Sequence, residues 1–161
     1  MHINSSGLTL IELVITVTIL SVLAMLVVPT VQMTAKRTKE IELRRNLRII
    51  RTAIDDFKKN YDTAVDQKKI LASTDKTGYP ETLQQLVDGY DFGGLYSYKK
   101  KFLRSIPEDP FNPPKPGAEP KWTLRSYADD PDSKEWGGQD VFDVHSLSAE
   151  TAIDGTKYNE W

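Results

Sequence analysis

From Leu8 to Val28 the chain is apolar at nearly every position: across these 21 residues Glu12 is the single ionisable side chain, and Thr9, Thr16, Thr18 and Ser21 are the other polar ones. A helix needs ~20 residues to cross ~30 Å of hydrocarbon, so the run predicts a transmembrane segment over 8–28. Beyond Pro29 the apolar positions draw to one side. Leu43, Leu47, Ile50, Ile54, Phe57 and Tyr61 step by 4, 3, 4, 3 and 4, which is one stripe of an amphipathic helix. The pattern therefore predicts a helix from about Leu8 to about Tyr61, ended by Asn60-Tyr61-Asp62, with a first half greasy all round and a second half amphipathic. The stripe is short for a coiled coil and fits the cover of a small domain. Pro29 lacks an amide donor and its ring crowds the carbonyl of Met25, which predicts a kink or local melting.

The remainder punctuates into short elements. Tyr61 to Thr77 is polar and aperiodic, a loop with room for one helical turn in Asp66 to Leu71. Pro80 can open a short helix whose apolar face is Leu83, Leu86 and Val87. After an irregular Pro113 to Pro120 stretch, Trp122 to Tyr127 and Val141 to Leu147 alternate as strands, the second with Val141, Asp143 and His145 opposite Phe142, Val144 and Ser146. The turn-rich segment Asp129 to Gly138 joins them. The fold class is α+β: a long amino-terminal helix packed on a small antiparallel carboxyl-terminal sheet.

With 161 residues and one membrane-length run, the chain has room for one anchor and one modest domain. It has no cysteine, so neither a disulfide nor a thiolate metal site is available. The net charge of −2 argues against a nucleic-acid partner. Its distribution is uneven: residues 36–51 are basic and residues 129–161 acidic. Two readings follow, two solvated faces, or a basic helix of one copy drawn to the acidic tail of another, an attraction that salt weakens.

Histidines His2 and His145 lack the spacing of a zinc site, and no nucleophile, base or phosphate loop is arranged for catalysis. Asp129, Asp130 and Asp132 read as a solvated turn, and Trp122, Trp136 and Trp161 as packing residues. Glu12 is the chemical oddity. A carboxylate inside a membrane costs roughly 2.5 to 3.5 kcal/mol on insertion scales, so it either reaches the headgroups from one turn inside or has a partner. A cleaved secretory signal fits poorly, because the run is longer than its ~7 to 15 apolar residues and follows an uncharged leader.

Gly7-Leu8-Thr9-Leu10-Ile11-Glu12-Leu13, followed by the apolar run and Pro29, resembles the amino-terminal signal of type IV pilins and pseudopilins. In that family the leader ends in Gly, the mature chain starts with an apolar residue, and Glu stands at the fifth mature position. Tyr79-Pro80 with Leu83 and Leu86, Leu103 to Pro110, the Gly137-Gly138 loop, the strand reaching Ser146, and Asp154-Gly155 before Asn159-Glu160-Trp161 extend the resemblance to major pseudopilins of type II secretion systems. Major pilins commonly carry a carboxyl-terminal disulfide loop, which this chain cannot form.

The resemblance implies a pilin-like fold with a cleaved leader over 1–7, a helix over 8–61 and a periplasmic domain over 62–161. A prepilin peptidase would cut after Gly7 and methylate the amine of Leu8. Glu12 would then pair with the terminal ammonium of a neighbouring subunit, and the segment around Pro29 would lose helicity in the filament. The implied function is that of a structural subunit of a periplasmic pseudopilus that drives protein export, not an enzyme; the alternative is a pilin or minor pilin for adhesion or motility. Its partners would be further copies of itself, minor pseudopilins, the peptidase, and an inner-membrane platform with its ATPase.

Two implications stand against other readings of the residues. The basic segment after the span would by charge place the domain in the cytoplasm, whereas the resemblance places it in the periplasm with the anchor single-pass in the inner membrane. The family commonly binds calcium after the last strand; the corresponding residues here are Glu150 and Asp154, with backbone carbonyls near Leu147. Packing of Ile153, Tyr158 and Trp161 could hold that loop instead.

Overall fold

The computed structural model describes residues 9–161 apart from 72, 74, 75, 132 and 134, with the side chains of 26–30 also left aside. Its elements are helix α1 (Leu10–Asp66), helix α2 (Leu83–Asp88), strands β1 (Thr123–Arg125) and β2 (Asp143–His145), and a terminal 3₁₀ turn at Tyr158–Glu160. The chain divides into two units, Met1–Thr38 and Lys39–Trp161.

In the first unit every described side chain from Thr9 to Met25 is exposed. Leu10 and Met25 are 82% and 77% accessible, so the helix presents apolar surface on all sides rather than one buried stripe. Its hydroxyls are satisfied within the helix: Thr16 donates to the Leu13 carbonyl at 2.9 Å, and Thr18 and Ser21 donate to those of Val14 and Val17 at 2.7 Å. That removes their demand for water. Among the described residues no helix is long and apolar enough to cross a membrane; the run read from sequence extends past the described side chains at both ends. The helix continues through position 29, so the local melting expected there is not seen in the single chain. One missing amide donor leaves the flanking hydrogen bonds in place.

In the second unit the sequence stripe is the core. Leu43, Leu47, Ile50, Ile54, Phe57 and Tyr61 are all buried, joined by Ala53 and Ala64. Phe57 meets Tyr90, Phe92 and Phe102 with ring centroids 5.3, 5.1 and 5.5 Å away, so truncating it to Ala would cost about 3–5 kcal/mol. The expected stop at Asn60-Tyr61-Asp62 is absent, and the helix runs to Asp66. Local bonds carry it through: Asn60 Nδ2 donates to the Asp56 carbonyl at 2.6 Å, and Lys58 pairs with Asp62 at 2.5 Å. It ends where Lys68 turns left-handed (φ 58°) and the Lys69 amide reaches back to the Ala64 carbonyl.

α2 starts at Leu83, after Pro80 rather than at it, because Thr82 is the cap: its side chain accepts from the Gln85 amide. Pro80 instead offers its carbonyl to the Val141 amide at 2.7 Å. β1 and β2 pair antiparallel with Leu124 opposite Val144, and both are shorter than the alternation predicts. Val141 and Val144 are both buried and Phe142 is not, so the expected grouping of Val141 with Asp143 and His145 fails at the strand's entry. There Phe142 turns onto Tyr79 and Tyr127, centroids 5.2 and 5.5 Å away.

Two buried carboxylates tie the loops down. Asp109 accepts from the Phe111 amide at 2.9 Å, the Ser146 hydroxyl at 2.6 Å and the Leu147 amide at 3.3 Å. Asp140 accepts from the Tyr127 amide and the Thr77 hydroxyl. Asp129 is the turn former that sequence suggested, taking the amides of Ser126 at 2.7 Å and Gly137 at 3.0 Å; those two bonds hold its carboxyl below the usual range. The indoles of Trp122 and Trp136 donate to the carbonyls of Pro107 and Asp140.

Candidate functional site

Of the residues singled out near the amino terminus, Gly7 and Leu8 lie outside the described residues, as does the side chain of Pro29. Glu12 is described. Thr9 precedes α1 and its Oγ1 accepts from the Glu12 amide at 3.3 Å, while its carbonyl accepts from the Leu13 amide at 3.1 Å. Thr9 is therefore the helix cap and Glu12 the acidic residue of the first turn. The Glu12 carboxylate has no hydrogen-bond or ionic partner among the described residues, and it lies in an exposed, mostly apolar surface. Glu12 thus stands in the first turn of a helix whose neighbouring described side chains are exposed and mostly apolar.

The second candidate region is the carboxyl-terminal loop. Thr151 and Lys157 form an isolated antiparallel bridge, the Ala152 amide donates to the Thr156 carbonyl at 2.7 Å, and Gly155 supplies the left-handed corner (φ 89°). α1 grips this loop from below with residues four, seven and eleven positions apart, Glu40, Arg44, Leu47 and Arg51. Glu40 Oε1 accepts from the Ile153 amide and from the Tyr158 hydroxyl, both at 2.8 Å. Arg44 Nη2 pairs with Asp154 Oδ2 at 2.9 Å, and its guanidinium lies 4.1 Å from the centroid of the Trp161 ring. Arg51 holds Asp143 at 2.7 Å and also donates to the carbonyls of Val144 and Trp161.

These pairs reshape the charge reading. The basic stretch of α1 meets the acidic carboxyl-terminal segment of its own chain, so Asp143 and Asp154 are engaged within one subunit rather than left for a neighbour. Asp143 also takes Arg125 at 3.1 Å, with His145 at 3.4 Å. Burial holds the His145 imidazole below its ordinary range, Arg51 and Arg125 push the same way, and Asp143 offsets them only in part.

The calcium expectation meets an unsuitable donor set. Calcium takes about six to eight oxygen ligands. Both Asp154 oxygens already accept hydrogen bonds: Oδ1 from the Thr156 hydroxyl at 2.6 Å and amide at 3.0 Å, Oδ2 from the Arg44 guanidinium. Those bonds, led by the Thr156 hydroxyl, lower the Asp154 pKa. The Glu150 carbonyl is taken by the Tyr158 amide at 3.1 Å. Among the described residues no group of three or more acidic or histidine side chains converges as a metal site. Asp154, engaged at both oxygens and with no converging third acidic group among the described residues, does not fit a calcium ion as placed. Of the packing alternative, Tyr158 and Trp161 take part and Ile153 does not: Tyr158 is fully buried, stacked on Phe111 at 3.9 Å and edge-on to Trp161 at 5.1 Å, whereas the Ile153 side chain is exposed.

Sequence reasoning missed Glu40, Arg44 and Asp109. The first two carried a usable signal, since they flank the apolar stripe at helical spacing. Asp109 carried only a local one, its bond to the Phe111 amide two residues on, because its other partners at Ser146 and Leu147 lie far along the chain.

Comparison with known proteins gives two matches. The prokaryotic N-terminal methylation motif covers residues 3–28. Type II secretion system core protein G of Pseudomonas aeruginosa is 31% identical over 147 residues, which span 88% of this chain and 94% of that protein. No solved structure matches the chain significantly.

Proposed function

The chain belongs to the family of the type II secretion system core protein G, and from that premise we propose that it is the major pseudopilin, the repeating structural subunit of a pseudopilus that drives protein export. It is a membrane-anchored protein of a secretion system, it assembles with itself and with that system's machinery, and it is not an enzyme. The observation that carries the reading is the end-to-end match together with the methylation motif at its amino terminus. A type IV pilus role draws no comparable support.

The finer assignments follow from membership of that family, with physical chemistry supporting the Glu12 pairing. Cleavage after Gly7 frees an amine on Leu8, which a prepilin peptidase methylates. The exposed apolar helix anchors the subunit once in the inner membrane, with the amino terminus cytoplasmic and the carboxyl-terminal domain periplasmic. During assembly Glu12, which has no described partner in its own chain, takes the terminal ammonium of the adjacent subunit. In a low dielectric either charge alone is costly and the pair recovers part of that cost, so pairing sets the stagger between subunits. Pro29 supplies the point at which the helix extends in the filament. Minor pseudopilins, the platform and its ATPase complete the machine. Mass spectrometry of the mature protein tests the processing steps: the expected terminus is a methylated Leu8, and an intact Met1 terminus defeats them.

A further inference from the structure

The carboxyl-terminal loop, where the family resemblance implies calcium, is met by side chains of its own chain. Arg44, Asp154, Thr156 and Trp161 form a ring of contacts. The Trp161 indole Nε1 donates to Thr156 Oγ1 at 2.7 Å, that hydroxyl donates to Asp154 Oδ1 at 2.6 Å, Asp154 Oδ2 accepts from Arg44 at 2.9 Å, and the Arg44 guanidinium returns to the Trp161 ring at 4.1 Å. One turn earlier on α1, Glu40 takes the Ile153 amide and the Tyr158 hydroxyl from the same loop. The loop thus has a cation on its acidic residue and an anion on its free amide, both supplied by one helix.

We propose that the Arg44 guanidinium is the resident cation of the carboxyl-terminal loop, and that with Glu40 it clasps residues 150–161 to α1 so that the loop closes without a metal ion. A guanidinium is always charged, offers planar donors matched to a carboxylate, and stacks on an indole, so one side chain serves both Asp154 and Trp161. A divalent ion at Asp154 would be repelled by that cation and would have to displace it. The clasp concerns the loop alone and stands whichever machine the subunit serves.

The test uses the full-length processed protein in detergent, with melting followed by tryptophan fluorescence and loop opening by the rate of tryptic cleavage after Lys157. Calcium at about 10 mM, above the weakest extracellular-type affinities, is expected to move the wild-type melting point by no more than about 1 °C relative to chelator, and calorimetric titration to give no binding heat. Arg44→Ala is expected to melt about 2–4 °C lower and to be cleaved several-fold faster after Lys157, with Arg44→Lys recovering part of both. A calcium-dependent rise of several degrees in the wild type, or stoichiometric binding heat, overturns the proposal. So does an Arg44→Ala protein whose melting and cleavage match the wild type. If Arg44→Ala does not fold, the wild-type titration and Arg44→Lys still decide.

Discussion

The Tyr158 hydroxyl donates to Glu40 at 2.8 Å across 118 positions of sequence, joining the last turn of the chain to the first buried turn of the amphipathic helix. Tyr158 is fully buried, so Glu40 is the acceptor that makes its hydroxyl tolerable there. Glu40→Ala removes this acceptor and that of the Ile153 amide, and is expected to destabilise the protein by about 2–3 kcal/mol. Glu40→Gln, whose amide oxygen still accepts, should lose less. Chemical denaturation of the two variants beside the wild type measures the difference; equal stability of all three would remove Glu40 from the account.

The same pair sets an alkaline limit. Burial, and then the bond to Glu40, raise the Tyr158 pKa above its ordinary value of 10.0. A raised folded-state pKa means that the stabilisation is complete below the unfolded value and is lost as pH rises through the folded one. Stability should therefore be level up to about pH 10 and fall above it, and Tyr158→Phe should flatten that fall. Tyr79, also raised chiefly by burial, contributes in the same direction and leaves a residual slope in the variant.

On the acid side the sign reverses. Asp154 and Asp129 have carboxyls lowered from the ordinary 3.8, the first chiefly by the Thr156 hydroxyl and the second by the Ser126 amide. Their contribution is complete above that value and is lost as pH falls below it through the folded-state values. Asp154 is exposed and Asp129 only half-buried, so the effect is small; Thr156→Val should reduce the Asp154 part while leaving that of Asp129. Melting curves between neutral pH and about pH 2 would show it.

Asp109 is the most consequential residue that the sequence concealed. It is fully buried and its three acceptor bonds fix the turn at Phe111 and the exit of β2 at Ser146 and Leu147. Asp109→Asn places an amide donor where only donors converge and is expected to cost about 1–3 kcal/mol, while Asp109→Ala leaves those donors unmet and costs at least as much. Equilibrium unfolding checks the order.

The contrast with the core explains what was legible. The step of 4 and 3 from Leu43 to Tyr61 reports which face is buried because helical geometry is local, and all six positions are buried. The helix runs past Asn60 for a tertiary reason that adds to its local bonds: Tyr61 and Ala64 are buried against the domain, and that burial outweighs the turn preference of Asn and Asp. The loop clasp was half legible, since Glu40 and Arg44 sit at helical spacing beside the stripe, but which acidic residue Arg44 takes depends on a partner 110 positions away. At the amino terminus, Thr9 with Glu12 three residues later is a helix-start signature, and the Thr9 side chain does cap the Glu12 amide.

That cap bears on the filament. Thr9→Ala should loosen the first turn by about 1 kcal/mol and misplace Glu12 without removing its charge. Partial loss of assembly with normal processing is the expected result, read as the ratio of filamentous to membrane-held subunit.

The role proposed for Glu12 is to dock the next subunit by its charge. It is tested by the fraction of subunit recovered as assembled filament from cells carrying the cognate secretion system, with wild-type protein compared with Glu12→Ala. The variant is expected to be cleaved and methylated normally at Leu8 yet to give little or no ordered filament. Filaments in wild-type amount and register from the variant would contradict it.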